Sequence, residues 1–501
     1  MAEVRYRVKK KKDDRFNNAN QLKNSKIKEM GKRKRDFLKR INYKHFFTVL
    51  ICPLFAIIYL IKYSESILPK NTQTFWFSVF YFNFTILAFT SGYHKFFTHN
   101  AFVTKNNLLI DYFTIFGSSM GLGSIKWWGS LHRAHHQFTD DVEKDPYSIK
   151  RGFLYSHFGW IIMRPKVLSF YNELFDEFCK ITIENEVETE IFDNEIDKEF
   201  IQEKQERLEY SNNIKLLMQW QDKWYFVLFV LTTLVIPALV TKFYCEDSLI
   251  NGIIYPGILR MFLCQQSLLS TESICHFKEI QITIPSQPFN DSNSSINCNN
   301  PLMAIITYGQ SKQNFHHEFP HDYRNDSSKV SFDPTKWFLN VLEKLRVITD
   351  VSITPKDLVT QLRIQQRQKV LNKLKSQLNW GTPISKLPLI KPDEFKRLIS
   401  TSAHKDRIYI VISNIIHDIT PFMDQHPGGV PLLKASHGKD ATKAFFGGVY
   451  SHSTAASNLL ATMRIGYLDL GNEEEVWDKI VVEEGEDTTQ NQRQYESAEA
   501  A

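Results

Sequence analysis

The sequence predicts an all-α membrane domain of four transmembrane helices with a cytosolic helical cap, followed by a smaller α+β domain at the C-terminal end. The first observation behind this prediction is that four apolar segments approach the about 20 residues that a helix needs to cross a bilayer. The second is that histidines cluster beside these segments, and the third is that residues 390–470 have the pattern of a compact soluble domain. The apolar segments are Phe46–Ile61, Phe75–Ser91, Tyr225–Thr241 and Leu249–Thr271.

The positive charge of the chain is concentrated before the first apolar segment. The net charge is +6, and residues 1–44 contain the basic runs Lys9–Lys12 and Lys32–Arg35. Such a stretch can be a nucleic-acid-binding arm, a solvated tail or the cytosolic flank of a membrane span. Because an apolar segment begins directly afterwards at Phe46, the positive-inside rule favours the cytosolic flank, and we expect no nucleic-acid partner.

The links between the apolar segments predict the topology. Residues 62–74 and 242–248 contain no cluster of Lys or Arg, so the segments should form two hairpins. The N-terminus, the loop 92–224 and everything after residue 272 should then face the cytosol. The shorter apolar stretch 108–122 should lie along the membrane surface, since a span there would place the next histidines in the opposite compartment. Arg260, inside the fourth segment, needs a polar partner.

Composition divides the chain into five parts. We expect a basic cytosolic tail at 1–44 and a membrane domain at 45–350, interrupted by an acidic, solvated insertion at about 170–215. Residues 351–389 should contain a linker helix, because apolar residues recur there at helical spacing. The domain at 390–470 has strand-like composition at 408–412, and the tail at 471–501 is acidic. Six scattered cysteines without a CxxC pair predict neither a disulfide framework nor a zinc site.

Histidines occur at spacings typical of metal ligands. In the motif HxxHH, offsets of three and four residues bring all three imidazoles to one face of a helix. In the motif HxxxxH, five residues turn a helix by about 140°, so the two histidines should either address different metals or straddle a helix end. The candidate ligands are His94 and His99 of HxxxxH, His132, His135 and His136 of HxxHH, the pair His316 and His317, and His276 at the end of the fourth segment.

Eight imidazoles exceed what one ion binds, so the clusters predict two metals. Neutral imidazole suits iron, copper, nickel and zinc, and the lack of thiolates argues against structural zinc. Two irons held by imidazole at a bilayer surface would suit oxygen activation beside an apolar substrate.

Three blocks of sequence resemble the histidine boxes of integral-membrane acyl-CoA desaturases. They are His94–His99, Trp127–His136 and Asn314–Pro320, and the surrounding Asp145–Tyr147, Ser156–Trp160 and Asp322–Asn325 are similar to the fungal delta-9 branch. The resemblance implies a di-iron centre that inserts a cis double bond into a long saturated acyl-CoA with O2 and two electrons. Together with the two-hairpin topology, this leads us to expect an endoplasmic reticulum membrane protein with both termini in the cytosol.

The resemblance further implies that basic cytosolic residues hold the CoA phosphates. Arg164 and Lys166 match that role by position. The alternative for both is an ordinary positive flank of a membrane segment.

The C-terminal domain resembles cytochrome b5. The block His426–Gly429 is followed by Gly438–Phe445 and then by His452. The resemblance makes His426 and His452 the two axial ligands of haem b, which leaves the haem iron no open position and predicts electron transfer. Since no dinucleotide-binding motif occurs, NADH should supply electrons through a separate cytochrome b5 reductase.

Two positions depart from the desaturase pattern. Gln313 stands where the third box has its first histidine, and Glu272 stands where the family has an asparagine that orders a metal-bound water. Because a carboxylate is a good ligand for iron, Glu272 could supply the ligand that Gln313 does not. One interpretation is a working desaturase, or a relative shifted in substrate or towards hydroxylation. The other is a non-catalytic paralogue that keeps a role in electron delivery or regulation.

Overall fold

The computed structural model describes residues 38–63, 66–163, 173, 198–401, 406–447 and 451–470. The chain divides after Arg367 into a first unit that is mainly helical, with one two-stranded sheet of Pro285–Ser286 and Asn297–Cys298, and a second unit built around a four-stranded sheet. This confirms the predicted fold class. The helix Lys356–Ser376 connects the two units along the chain, where helical spacing of apolar residues predicted one.

Three helices are long and apolar enough to cross a membrane among the described residues: Tyr43–Tyr63, Thr72–Thr98 and Leu208–Phe243. We call them the first, second and third membrane helices. The apolar stretch expected at the membrane surface forms the helix Asn107–Met120, which bends by 78° into Ile125–Phe138. Counted as one broken span, this bent pair would bring the number to four.

The predicted fourth span is a helix, but it is too polar to count as a span on composition. The segments Leu249–Gly252, Ile253–Leu259 and Arg260–Ser273 follow one another without a break. At 1.5 Å per residue they extend about 37 Å, long enough to cross a bilayer. The polar partner expected for Arg260 is present, since its guanidinium donates to the backbone carbonyls of Ser119 and Pro256, each at 3.1 Å.

The two short links lie side by side. Asn71 donates from Nδ2 to the carbonyl of Cys245 at 2.8 Å, and the Thr74 hydroxyl donates to Asp247 Oδ2 at 2.8 Å. Both hairpins therefore turn at the same end of the helices. The histidine His94 lies near the opposite end of the second membrane helix.

The third membrane helix begins earlier than the apolar pattern predicted. The helix Lys198–Val230 continues through Leu231–Val235 into Ile236–Phe243, whereas the apolar run begins at Tyr225. Residues 198–215, which we assigned to the acidic insertion, are thus helical and continuous with the span. Hydropathy marks only the apolar part of a helix, and the Lys, Glu and Gln residues before it are good helix formers. Residues 174–197 of the insertion lie outside the described part of the chain.

The second unit has a mixed sheet. Its strands lie in the order Leu389–Ile390, Arg464–Leu468, Ile415–Asp418 and Tyr409–Ile412, of which the first two pair in parallel and the others antiparallel. The predicted strand at 408–412 is confirmed, and alternate residues pack on opposite faces. Ile410 and Ile412 face one hydrophobic cluster, while Tyr409 and Val411 face another. Short helices surround this sheet at Pro392–Ser400, Val430–Ala435, Thr442–Phe446 and Thr454–Ala461.

Candidate metal centre and haem site

The HxxxxH motif ends the second membrane helix in a wide turn. Over Ala88–Thr98 the backbone bonds run from residue i+5 to residue i, and His99 N donates to His94 O at 3.2 Å. In such a turn residues five apart lie nearly above one another, so both imidazoles face the same group of ligands. His99 is also the residue at which the helix ends. Of the two alternatives for this motif, the structure has the helix end, and it brings both imidazoles into one group of histidines.

The HxxHH motif lies on the helix Ile125–Phe138, as the spacing predicted. Ser124 caps this helix, since its Oγ accepts from Trp127 N at 3.2 Å. The imidazoles of His132 and His135 leave the helix towards two different groups of histidines.

Short helical pieces carry the remaining ligands. His276 ends the 3-10 helix Ile274–His276, and the third box forms the helix Gln313–Glu318. Asn314 holds this helix in place, because its Nδ2 donates to Asn290 O at 2.7 Å and its Oδ1 accepts from Phe289 N at 3.0 Å.

Five imidazoles make up the larger group. Ring nitrogens of four of them lie within 4.8 Å of one another. His316 Nε2 is 2.9 Å from His94 Nε2 and 3.4 Å from His132 Nε2. His136 joins them, with its Nε2 3.0 Å from His316 Nε2 and 3.2 Å from His132 Nε2. The group is His94, His99, His132, His136 and His316.

These separations fit a shared metal ion. Nitrogens about 2.1 Å from one ion lie about 3.0 Å apart in octahedral geometry and about 3.4 Å apart in tetrahedral geometry. Hydrogen bonds alone do not explain the convergence, because a neutral imidazole has only one N–H. Burial lowers the pKa of His316, so its ring is neutral at pH 7 and its lone pair is available to a metal.

The smaller group contains three imidazoles. His135, His276 and His317 bring their nitrogens within 4.8 Å of one another, and His135 Nε2 lies 3.1 Å from His317 Nε2. His276 Nε2 is buried and has no hydrogen-bond partner in the described part of the chain. A buried imidazole nitrogen without a hydrogen-bond partner, beside two others, is suited to bind a metal ion, so this group also fits an ion.

Several of the candidate metal ligands have a hydrogen-bond partner at the ring nitrogen Nδ1. His135 Nδ1 lies 2.9 Å from Asp145 Oδ1, and His276 Nδ1 lies 2.9 Å from Ser294 Oγ. His132 Nδ1 lies 3.0 Å from the Tyr147 hydroxyl. These contacts set which ring nitrogen is free for the metal. Sequence reasoning did not assign these roles; Asp145 and Tyr147 follow the HxxHH motif closely, but no spacing signal identifies Ser294.

Glu272 and Gln313 line one small cavity beside the histidines. Glu272 Oε2 lies 3.6 Å from His135 Nε2, and Oε1 lies 3.5 Å from His132 Nδ1. Both Glu272 Oε2 and Gln313 Oε1 are buried without a hydrogen-bond partner among the described residues. Gln313 instead donates from Nε2 to Gln310 O at 3.0 Å. The carboxylate that the sequence singled out therefore lies between the two groups, near His132 of the larger and His135 of the smaller.

Polar and apolar side chains share the rest of this cavity, the polar ones including His132, Thr271 and Gln310. Phe89, Leu122, Leu268 and Trp160 line it together with His94. It offers an apolar surface directly beside the larger group of histidines.

His426 and His452 face each other in the second unit. Their ring centres are 6.2 Å apart and their planes differ by 28°. Two imidazoles on opposite sides of one iron would have ring centres about 6 Å apart, so the pair fits axial ligation of a haem. His452 stacks on Phe445 at 4.4 Å, and its Nδ1 lies 3.0 Å from Phe445 O, which directs Nε2 towards His426. A Cβ at Gly428 would lie 2.8 Å from His426 Cε1, so the motif needs glycine there.

The two residues matched to the CoA phosphates, Arg164 and Lys166, lie outside the described residues. Their role stays a prediction.

Comparison with known proteins gives two family matches and several relatives. The family described as "Fatty acid desaturase" matches residues 71–330, more than half of the chain. The family described as "Cytochrome b5-like Heme/Steroid binding domain" matches residues 393–469.

Among the relatives, "Acyl-CoA desaturase 1" of Saccharomyces cerevisiae is 32% identical over 420 residues, which cover 84% of this chain and 72% of that protein. The "Probable acyl-CoA desaturase" of Schizosaccharomyces pombe is 30% identical over 455 residues, 90% of this chain and 82% of that protein. Human "Stearoyl-CoA desaturase 5" is 25% identical over 290 residues, 58% of this chain and 75% of that protein.

Family and geometry agree on the cofactors. The desaturase family uses two irons, and the two histidine groups fit two ions. The cytochrome b5 match implies haem, which the facing histidines fit. The chain belongs to the fatty acid desaturase family and is an acyl-CoA desaturase with a fused C-terminal cytochrome b5 domain.

Proposed function

We propose that this enzyme is an active delta-9 desaturase of saturated fatty acyl-CoA, with O2 as oxidant and the fused haem domain as immediate electron donor. The observation that carries the proposal is the convergence of eight buried or half-buried imidazoles in two adjacent groups. Delta-9 specificity is supported by the blocks Asp145–Tyr147, Ser156–Trp160 and Asp322–Asn325, which are similar to the fungal delta-9 branch.

In this proposal the larger group, His94, His99, His132, His136 and His316, holds one iron. His135, His276 and His317 hold the second. The iron pair supplies oxygen activation when bound. The protein holds the imidazoles in fixed orientations through their second hydrogen-bond partners, and the acyl chain would lie beside them.

Glu272 completes the second iron site in the same proposal. The three imidazoles of that site leave positions open, and Gln313 offers only a neutral amide oxygen. The Glu272 carboxylate is a hard oxygen ligand, lies 3.6 Å from His135 Nε2, and has an oxygen without another partner among the described residues. Its negative charge would also offset the cost of burying a divalent cation.

A second candidate function rests on Gln313. If Glu272 does not compensate for the missing histidine, the second iron would bind weakly or not at all. The chain would then be an altered or inactive paralogue, hydroxylase-like or with a role in electron transfer or regulation.

Electron supply follows from the domain organisation. A haem with two axial histidines has no open position for oxygen, so it transfers electrons. Tethering the donor keeps its effective concentration high at the metal centre. We propose that a separate NADH–cytochrome b5 reductase reduces the haem.

We place the enzyme in the endoplasmic reticulum membrane with both termini in the cytosol. The basic residues 1–44 support a cytosolic N-terminus. The contact of Asn71 with Cys245 supports two hairpins that turn on the lumenal side, with the histidines at the other end. There Arg164 and Lys166 would meet the CoA phosphates.

The test is to express the full chain in a desaturase-deficient host supplied with saturated fatty acids. We expect growth without unsaturated supplement and a cis double bond at carbon 9, located by mass spectrometry of the lipids. The variant His316→Ala should abolish both at equal protein level. If the wild-type chain makes no unsaturated product while its haem spectrum is normal, the second candidate function is correct.

A further inference from the structure

Two buried cysteines lie in contact beside the smaller histidine group. The Sγ atoms of Cys275 and Cys298 are 3.6 Å apart, and both thiols are free and essentially inaccessible to solvent. A disulfide has an S–S distance of about 2.05 Å, so closure needs an approach of about 1.5 Å. Neither thiol belongs to the proposed iron or haem sites.

The pair lies where two ligand-bearing segments meet. Cys275 immediately precedes His276, and its carbonyl accepts from Ile296 N at 2.9 Å. Cys298 N donates to Ser311 O at 2.9 Å, just before the helix that carries the third box. Any change in the separation of the two sulfurs therefore acts on the positions of metal-binding histidines.

We propose that Cys275 and Cys298 form a peroxide-sensitive dithiol whose oxidation to a disulfide reversibly inactivates the enzyme. The cytosol is reducing, and a disulfide that does form in contact with it is usually transient or redox-sensing. The oxidant is hydrogen peroxide. The sulfur pair and its position come from the geometry, whereas the effect on activity rests on the proposed function.

The reaction balances in two steps. The Cys298 thiolate attacks one peroxide oxygen, which gives a sulfenic acid and, after proton uptake, one water. Cys275 Sγ then attacks the Cys298 sulfur and displaces a second water. Two thiols and one peroxide thus give one disulfide and two waters. Cys298 is the first nucleophile because its neighbours lower its pKa. The lowering comes from the Cys275 thiol, the Thr283 hydroxyl and the Lys312 ammonium, and it exceeds the opposing effect of burial.

Oxidation should affect the smaller histidine group because Cys275 is adjacent to His276 in the chain. Closing the disulfide pulls Cys275 towards Cys298 and shifts the adjacent His276, which disturbs the 2.9 Å contact of its Nδ1 with the Ser294 hydroxyl. Metal ligands tolerate only small displacements, so the oxidised form should hold the second iron less tightly.

The test treats the full-length enzyme in membranes with peroxide and then alkylates the remaining thiols. Mass spectrometry should find a Cys275–Cys298 linked peptide, desaturase activity should fall at least fivefold, and dithiothreitol should restore it. The iron lost on dialysis should increase in parallel. Cys298→Ser and Cys298→Ala should show no linked peptide and keep their activity in peroxide. Cys264→Ser, which replaces a buried cysteine of the helix 249–273, should respond as the wild type does.

The proposal is overturned if peroxide produces no linked peptide in the wild type, or if the Cys298 variants lose activity as fast as the wild type. Failure of the proposed function is distinguishable, because a chain without desaturase activity before treatment would still show the linked peptide.

Discussion

Asp145 Oδ1 lies 2.9 Å from His135 Nδ1, and both side chains are almost completely buried. A carboxylate in this position fixes the tautomer of the imidazole and strengthens its other nitrogen as a metal ligand. We predict that Asp145→Asn lowers iron affinity or activity by about 10- to 100-fold, the usual cost of losing such a partner. Iron retention during dialysis against a chelator and product formation measure the effect.

The control for this variant is Asp141→Asn. Asp141 is exposed, and its carboxylate accepts hydrogen bonds only from nearby backbone N–H groups, those of Glu143 and Lys144, in the contacts we describe. It should leave iron and activity unchanged. Equal iron retention in the two variants would show that Asp145 does not support His135.

The haem site makes a separate prediction. His452→Ala should abolish haem binding or replace the low-spin spectrum of two axial imidazoles by a high-spin one, because the ring facing His426 is removed. The full chain should keep its non-haem iron. His437→Ala changes a half-buried histidine of the same domain and should keep the low-spin spectrum. An unchanged spectrum in His452→Ala would refute the axial assignment.

The haem domain should lose stability in acid through His417. Burial lowers the pKa of His417 to about 4, and the Arg464 guanidinium adds to this shift. In the unfolded chain the imidazole takes up a proton near pH 6.5. Between pH 6.5 and 4 the unfolded state therefore binds more protons than the folded state, and the free energy of unfolding decreases as the pH is lowered. The loss should reach about 2 kcal/mol at pH 5.

Denaturant unfolding of the full chain, followed by haem absorbance at pH 7 and pH 5, measures this loss. His417→Gln should remove most of the difference between the two pH values, whereas His437→Gln should retain it. A pH dependence that is the same in both variants would contradict the role of His417.

Topology is testable with tags and glycosylation. Tags at residue 20, within 180–200 and at the C-terminus should all be digested by protease added to sealed microsomes. The sequons at Asn290 and Asn293 should stay unglycosylated for the same reason, since they follow the fourth helix on the cytosolic side. Protection of the tag at 180–200 would contradict the two-hairpin topology and would separate the histidine clusters by the membrane.

Local patterns predicted local structure well in this chain. The helix under His132 and His135 and the strand at 408–412 follow from periodicity, because neighbouring residues decide both. The wide turn that brings His94 and His99 together departs from regular helical geometry, and spacing alone does not reveal it.

Local sequence patterns did not predict contacts between segments that are distant in the sequence. Ser294 approaches His276 only because an irregular segment folds back, and the contact of Cys275 with Cys298 spans a similar separation. The early start of the third membrane helix was missed for a different reason, since polar residues extend a helix without raising its hydropathy.

Variants at Glu272 and Gln313 test whether the carboxylate replaces the histidine ligand that is absent at position 313. If Glu272 compensates for the lost histidine, Glu272→Asn alone should lose most of one iron and at least tenfold of the activity. Gln313→His should partly restore both in the double variant, because imidazole is the stronger ligand. Glu279→Gln alters an exposed carboxylate a short distance along the chain and serves as the control. No effect of Glu272→Asn on iron and activity would refute compensation, and a gain of activity only in the double variant would indicate a damaged desaturase.

The most direct test of the account is the amount of non-haem iron per haem in the purified full-length protein. The amount of haem measures how much C-terminal domain is folded, and the amount of non-haem iron measures how far the two histidine groups are occupied in the same sample. We predict two non-haem irons per haem, falling towards one in Glu272→Asn. One iron or none in the wild-type protein, with haem bound normally, would contradict a complete di-iron centre in this chain.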